Sequence, residues 1–443
     1  MFSTENLMEE FFPILEKLPA KYADIMIVRN RLVQVALRTD SSDFIEEDWT
    51  RVTCRVVTQG YGVASTDKTD NASVEQAAFS ALKQSRLCDQ PVELHPTSPE
   101  QGRVEHVSKE EFQPQEVSLL LKSLSGELRS RIKTPVRIEL IASNIQKHTT
   151  LITSEGTMVE EHTPLTDLTI YIVTRGPGEG FASKTLGGRG GFEVISSQPW
   201  EDLLESLARR ARDSAVAKPS TYLQFSHPYL VGRFKVVLDH EAAGALAHEV
   251  AHFLEADVYN ERFFKGLNYD LQLVDNPLIN DAYGSFHWDD EGVRARVKNL
   301  LGRSGVSLLH TRLTAKNDAE AGNARGTTHK PRPCVSNVYI QPSDWSEEEI
   351  FEDTQNGVYA EGLVRAECRL DDGRIEIEPE LAYVLKNREA TTPVKHLKII
   401  CNVRDICRID AVGKRLSLRP GYEKEFPISE GAPFIRINGA ICR

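Results

Sequence analysis

VVLDHEAAGALAHEVAHFLEAD, residues 236–257, changes period in its middle. Phe234–Leu238 is a short apolar run of strand type. Ala242–Asp257 then places small and apolar residues at helical spacing. Within that predicted helix lies His248-Glu249-Val250-Ala251-His252, an HExxH. Residues four apart on a helix sit one turn above each other, so two imidazoles at this spacing can grip one zinc ion. Glu249, on the neighbouring sector, can take a proton from the attacking water. The bland alternative is a solvent-facing stripe with two unrelated histidines. Ala242–Ala247 argues against it, because so small and apolar a run packs closely. A half-buried helix does not carry His, Glu, His, Glu and Asp without partners for them.

A catalytic zinc takes three protein ligands and leaves a fourth position open. Glu255, seven residues after His248, could ligate or hold a histidine from behind. Three ligands on one straight helix converge poorly, which favours the supporting role. The third ligand is then distant, with Cys334, Cys401, Cys407, His287 and His329 as candidates by residue type alone. His240-Glu241 imitates the start of the motif and reads as structural or supporting.

Outward from this helix, the last unit (228–443) reads as short strands, with one further helix at Ser346–Gln355 opened by a Ser346/Glu349 capping box. Asp371-Asp372-Gly373 reads as a hairpin turn. The first unit (1–92) opens with a helix over 3–18 that Pro13 should kink. A hairpin follows (Ala23–Asn30 and Arg31–Arg38, turning at Arg29-Asn30), then two short strands and a helix over Asp70–Leu87 capped by Asn71 or Ser73. A polar, Pro-containing stretch over 88–114 reads as a linker. The middle unit (115–226) has helices at 116–132 and 200–217 around strands at 136–142, 145–153, 157–162 and 166–174. The fold class is therefore α+β in three domains: 1–92, 115–226 and a β-rich 228–443 that carries the metal-site helix. Gly187–Gly191 (GGRGG) reads as a flexible loop. Trp288–Gly292 (WDDEG) reads as an acidic turn, either solvated or binding a cation or a peptide amine.

The chain has 443 residues and a net charge of −12, with 40 % hydrophobic and 27 % charged residues. Such a balance argues against coating nucleic acid or anionic lipid. No apolar run is long enough to span a bilayer. The N-terminus lacks the basic and apolar regions of a signal peptide. Seven scattered cysteines without a CxxC read as reduced thiols, so a cytoplasmic location is expected.

The segment 236–257 resembles the metal-site segment of the TldD/PmbA metallopeptidases. Residues 57–82, 153–175, 187–195, 284–301 (with DDEG), 334–342, 356–363 and 380–385 resemble further segments of that family in the same order. The resemblance implies an N-terminal α/β layer, a middle α+β domain and a β-rich C-terminal domain. It implies a zinc-dependent peptidase of TldD type, one Zn2+ per chain, acting on short, unfolded or modified peptides. His248 and His252 would be metal ligands and Glu249 the catalytic base. The partner would be a PmbA/TldE-like subunit lacking the metal motif, giving a heterodimer; a homodimer is the other option. Two departures stand out. The family's HExxxH is one residue longer than the HExxH here. The family's Cys ligand, from a CGK loop, has no Cys counterpart in 419–440. The second departure supports an alternative, a catalytically silent scaffold or regulatory subunit of a heterodimeric protease.

Overall fold

Tyr22–Arg38 forms one continuous strand, β1, and not the hairpin expected at Arg29-Asn30. The alternation keeps its phase through Asn30. Ala23, Ile25 and Ile27 enter one helix-covered core, and Val35 and Leu37 enter another on the same face. Without a change of face there is nothing for a turn to accomplish. The computed structural model describes residues 4–38, 41–87, 91–221 and 233–442.

β1 pairs antiparallel along its whole length with β2 (Ser41–Val57). On its other edge it pairs with β5 (Val136–Thr153), from Asp24↔Thr153 to Arg38↔Glu139. β3 is Tyr61–Thr66, β4 Gln101–Glu105, β6 Met158–Arg175 and β7 Glu179–Arg189. The sheet has seven strands in the order β3-β2-β1-β5-β6-β4, with β7 also on β6. The strand pairs expected at 136–153 and 157–174 are each one long strand, β5 and β6. One sheet thus runs through both of the units that sequence reading places at 1–92 and 115–226. The polar stretch between them contributes β4, parallel to β6.

Four helices cover one face of this sheet. α1 (Thr4–Glu16) continues through Pro13. α2 (Asn71–Leu87) is capped by neither Asn71 nor Ser73, the two expected caps, but by Asp70, whose carboxylate accepts from the Ser73 N–H at 3.0 Å. α3 (Pro114–Ile132) and α4 (Trp200–Val216) pack beside each other on the other half. Gly187–Arg189 closes β7, and Gly188–Gly191 is buried, so this run is not a flexible loop. A Cβ on Gly191 would meet the Glu110 carbonyl oxygen at 1.9 Å. Backbone contact explains that glycine.

Residues 233–442 are β-rich, as expected, and build a six-stranded sheet and nine strands of a ten-stranded one, whose tenth strand is Lys218–Pro219. β8 (Arg233–Leu238) lies inside the ten-stranded sheet, between Asn356–Glu361 and Ile435–Cys442. It leads directly into α5 (His240–His252). The six-stranded sheet ends in the hairpin Ser417–Glu423 (β9) and Phe426–Ala432 (β10), which lies against α5. α6 (Glu347–Glu352) has the expected capping box. The 371–373 turn joins Arg365–Arg369 to Arg374–Glu378 in an antiparallel pair. The chain is α+β, as its periodicities imply.

Candidate metal centre

Asp239 joins β8 to α5. Its Oδ1 accepts from the N–H groups of Glu241 (3.1 Å) and Ala242 (2.9 Å), and its Oδ2 accepts from Gly362 N–H at 2.8 Å. This cap fixes the helix start two residues earlier than expected. Glu241 is buried and accepts from Lys184 Nζ at 2.8 Å, which ties α5 to β7. Burial would raise the Glu241 carboxyl, but Lys184 and Arg210 hold it at about 2. His240 donates from Nδ1 to the Ala432 carbonyl at 2.8 Å, a structural role. Gly244 lets α5 approach the hairpin, since a Cβ there would stand 3.0 Å from Gly431 Cα.

α5 stops at His252, not at Asp257. The chain then turns, and Glu255 pairs with Leu309. Leaving the helix axis allows the buried Glu255 carboxylate to accept from His252 Nδ1 at 2.9 Å. His248 is buried, and its Nδ1 donates to Glu430 Oε2 on β10 at 2.7 Å. Each imidazole thus has a carboxylate behind it and turns Nε2 the other way. Both Nε2 atoms face one oxygen, Glu423 Oε2 at the end of β9, at 3.5 Å from His248 and 3.8 Å from His252. His248, His252 and Glu423 each offer a ligand atom within 4.8 Å of the others. His248 Nε2 is buried and makes no hydrogen bond.

The electrostatics favour a cation here. Burial pushes the His248 imidazole down, but Glu423 and Glu430 pull it up to about 10. Glu423 is held at about 2, first by His248.

Glu249 lies one helical step from His248 and is half-buried. It stands outside the His248–His252–Glu423 cluster and faces Cys368 on Arg365–Arg369. Burial, then the Glu249 carboxylate to which it donates, holds the Cys368 thiol well above the usual range. The distant candidates do not join the cluster. Cys334 is buried outside it, and Cys401 is buried with its thiol pushed up by burial to about 12. Cys407 is exposed and His329 half-buried in the turn after Gly326. His287 joins His106 and Glu161 in a separate group. There Arg189 donates to His106 Nε2 at 3.0 Å. WDDEG is not a solvated turn, since Asp289, Asp290 and Glu291 are buried. Asp289 accepts from the N–H groups of Glu291, Val293 and Ala324, and Asp290 from Arg325 and the Gly326 N–H. Sequence reasoning missed Glu423 and Glu430. Their one local signal is the tight turn at Lys424-Glu425, where Lys424 has φ 58°.

Residues 108–218 match the PmbA/TldA metallopeptidase central domain, and residues 231–442 match its C-terminal domain. A metalloprotease from Methanothermobacter thermautotrophicus is 30 % identical over 67 % of this chain and 68 % of its own length. The chain belongs to the PmbA/TldD metallopeptidase family. A zinc metalloprotease TldD homolog from Saccharolobus solfataricus is 26 % identical over 46 % of this chain and 50 % of that protein. The fold matches that of TldE from Thermococcus kodakarensis with a TM-score of 0.80 at 16 % identity, covering 98 % and 99 % of the two chains. Among the described residues, no helix of this family member is long and apolar enough to cross a membrane.

Proposed function

We propose that this chain is a zinc-dependent peptidase of TldD type, with His248, His252 and Glu423 holding one Zn2+ and Glu249 as the catalytic base. One observation carries the reading. Two imidazoles, each turned by a carboxylate at Nδ1, aim Nε2 at a single third carboxylate, and the buried Nε2 of His248 has no hydrogen-bond partner. Two histidines and a carboxylate are a donor set that suits zinc. Bound there, zinc would acidify a water and polarise a peptide carbonyl. Glu430 and Glu255 keep the imidazoles oriented. Glu249 accepts the water's proton and returns it to the leaving amine, swinging away from Cys368 to do so.

The silent-subunit alternative rests on the missing thiolate of the 419–440 stretch. Glu423 lies in that stretch and offers a carboxylate to the histidines, which favours the active reading. The substrates are short, unfolded or modified peptides. The partner is a TldE-like subunit without the motif, or a second copy. The test is elemental mass spectrometry on protein purified without a His-tag, alone and with its partner. About one zinc per chain is expected; no metal in either preparation would reject the reading.

A further inference from the structure

Glu161 on β6 faces two histidines from other parts of the chain. His106 follows β4, and its backbone N–H donates to the His162 carbonyl at 3.0 Å, which extends the parallel β4–β6 ladder by one residue. This register sets the His106 ring beside Glu161, with Nε2 3.4 Å from Oε1. His287 comes from the C-terminal unit. Its backbone N–H donates to Glu161 Oε2 at 3.0 Å, and its Nδ1 lies 3.3 Å from Oε1. One carboxylate oxygen thus has an imidazole nitrogen on each side, and the three ligand atoms lie within 4.8 Å of one another.

Two features distinguish this group from an ordinary hydrogen-bonded cluster. The first is spacing. Zinc–nitrogen and zinc–oxygen bonds of about 2.0–2.1 Å put the ligands of a tetrahedral ion about 3.3–3.4 Å apart. Both imidazole–carboxylate separations fall on that value, closer than the 3.5 and 3.8 Å at Glu423. The second is the protonation of His106. Arg189, at the end of β7, approaches the same Nε2 at 3.0 Å, and a guanidinium can only donate. Nε2 therefore carries a lone pair, which confronts the Glu161 oxygen with no proton between them. A cation shared by the two supplies what a hydrogen bond there cannot. Glu161 and His106 are mostly buried, whereas His287 has 36 % of its side chain exposed, which gives an ion a way in from solvent.

We infer that His106, Glu161 and His287 bind a second ion of the zinc class, which clamps the β4 segment, the sheet and the C-terminal unit together. As it binds, the proton that His287 shares with Glu161 leaves to solvent, water takes the fourth position and Arg189 swings off His106. Arg189 sets a positive charge against the incoming ion. This site therefore binds more weakly than His248–His252–Glu423 and fills on added zinc, not during purification. It uses no residue of the peptidase reading.

The test uses the full chain, freed of metal by EDTA and dialysed against micromolar zinc, with bound metal counted by elemental mass spectrometry. Wild type should hold about two zinc ions, and His106→Ala and His287→Ala about one each. Arg189→Met should tighten the weaker site about tenfold or more, because it removes the competing cation. Zinc should also raise the melting temperature of His248→Ala protein, where only this site is left, and should no longer do so once His287→Ala is added. The melting transition of each metal-free variant shows that it folds, and the exposed His287 can be truncated without opening a core. Zinc counts in His106→Ala and His287→Ala equal to wild type, or a wild-type count of one that His248→Ala reduces to none, would overturn the inference. A count that His248→Ala leaves unchanged while His106→Ala lowers it would instead sink the peptidase reading and leave this site standing.

Discussion

His248 Nδ1 stands 2.7 Å from Glu430 Oε2, and this contact settles which nitrogen of the ring faces Glu423. Glu430 sits on β10 and Glu423 at the end of β9, so one hairpin supplies both the group that orients His248 and the group that faces it. α5 and this hairpin form a single unit, and predictions about the site are predictions about their docking.

Glu430→Gln should weaken zinc binding by roughly 10–100-fold, because it orients a ligand without being one. Glu423→Ala should weaken it further, and Glu423→Cys should recover part of the loss by restoring a thiolate. His248→Ala should abolish stoichiometric zinc. Competition with a chromophoric chelator gives the affinities. Wild-type affinity in Glu423→Ala would remove that residue from the ligand set.

Glu249→Gln should keep its zinc and lose peptide hydrolysis by several orders of magnitude, since it removes a base and not a ligand. Metal content and turnover should be measured on the same preparation. A variant that cleaves at the wild-type rate would show that the base lies elsewhere.

Gly244→Val should loosen the site from outside it. Even a Cβ would stand 3.0 Å from Gly431 Cα, so the larger side chain must push α5 away from the hairpin. Overpacking of this kind costs about 1–3 kcal/mol. The expected result is a lower melting temperature together with weaker zinc binding. Destabilisation with unchanged affinity would show that α5 and the hairpin do not act as a unit.

Stability should fall as pH rises from 6 to 8.5. Burial, then Asp289, raises the Glu291 carboxyl to about 8. Its folded value exceeds its ordinary one, so its contribution is complete below about pH 4.5 and is lost as pH climbs toward 8. Glu161 and Glu241, held at about 2, keep their contributions throughout this window and lose them only on acidification. Glu291→Gln should flatten the decline by ~2–4 °C in melting temperature. Calorimetry on metal-free protein at both pH values decides; an unchanged slope would mean that Glu291 ionises without cost.

Local period made part of this protein legible. The strand-to-helix change at Asp239 and the i, i+4 histidines follow from residues within one turn of each other. Glu255 was legible as a support for a histidine, although it acts from beyond the helix end. The capping box of α6 and the 371–373 turn are equally local. Strand continuity was not. Arg29-Asn30 has the composition of a turn, and only pairing with β2 and β5 on both edges keeps β1 straight through it.

The sequence by itself determined the α+β class, the strand-to-helix change and the i, i+4 placement of His248 and His252 with Glu249 beside the first, because each depends on spacing along a few residues. The tertiary structure alone decided the third carboxylate. Glu423 is far from His248 along the chain and meets it only because a tight turn folds β9 onto β10 and the glycine-lined contact seats that hairpin against α5. Contacts across such a separation are set by which surfaces pack, and a one-dimensional pattern carries no record of that.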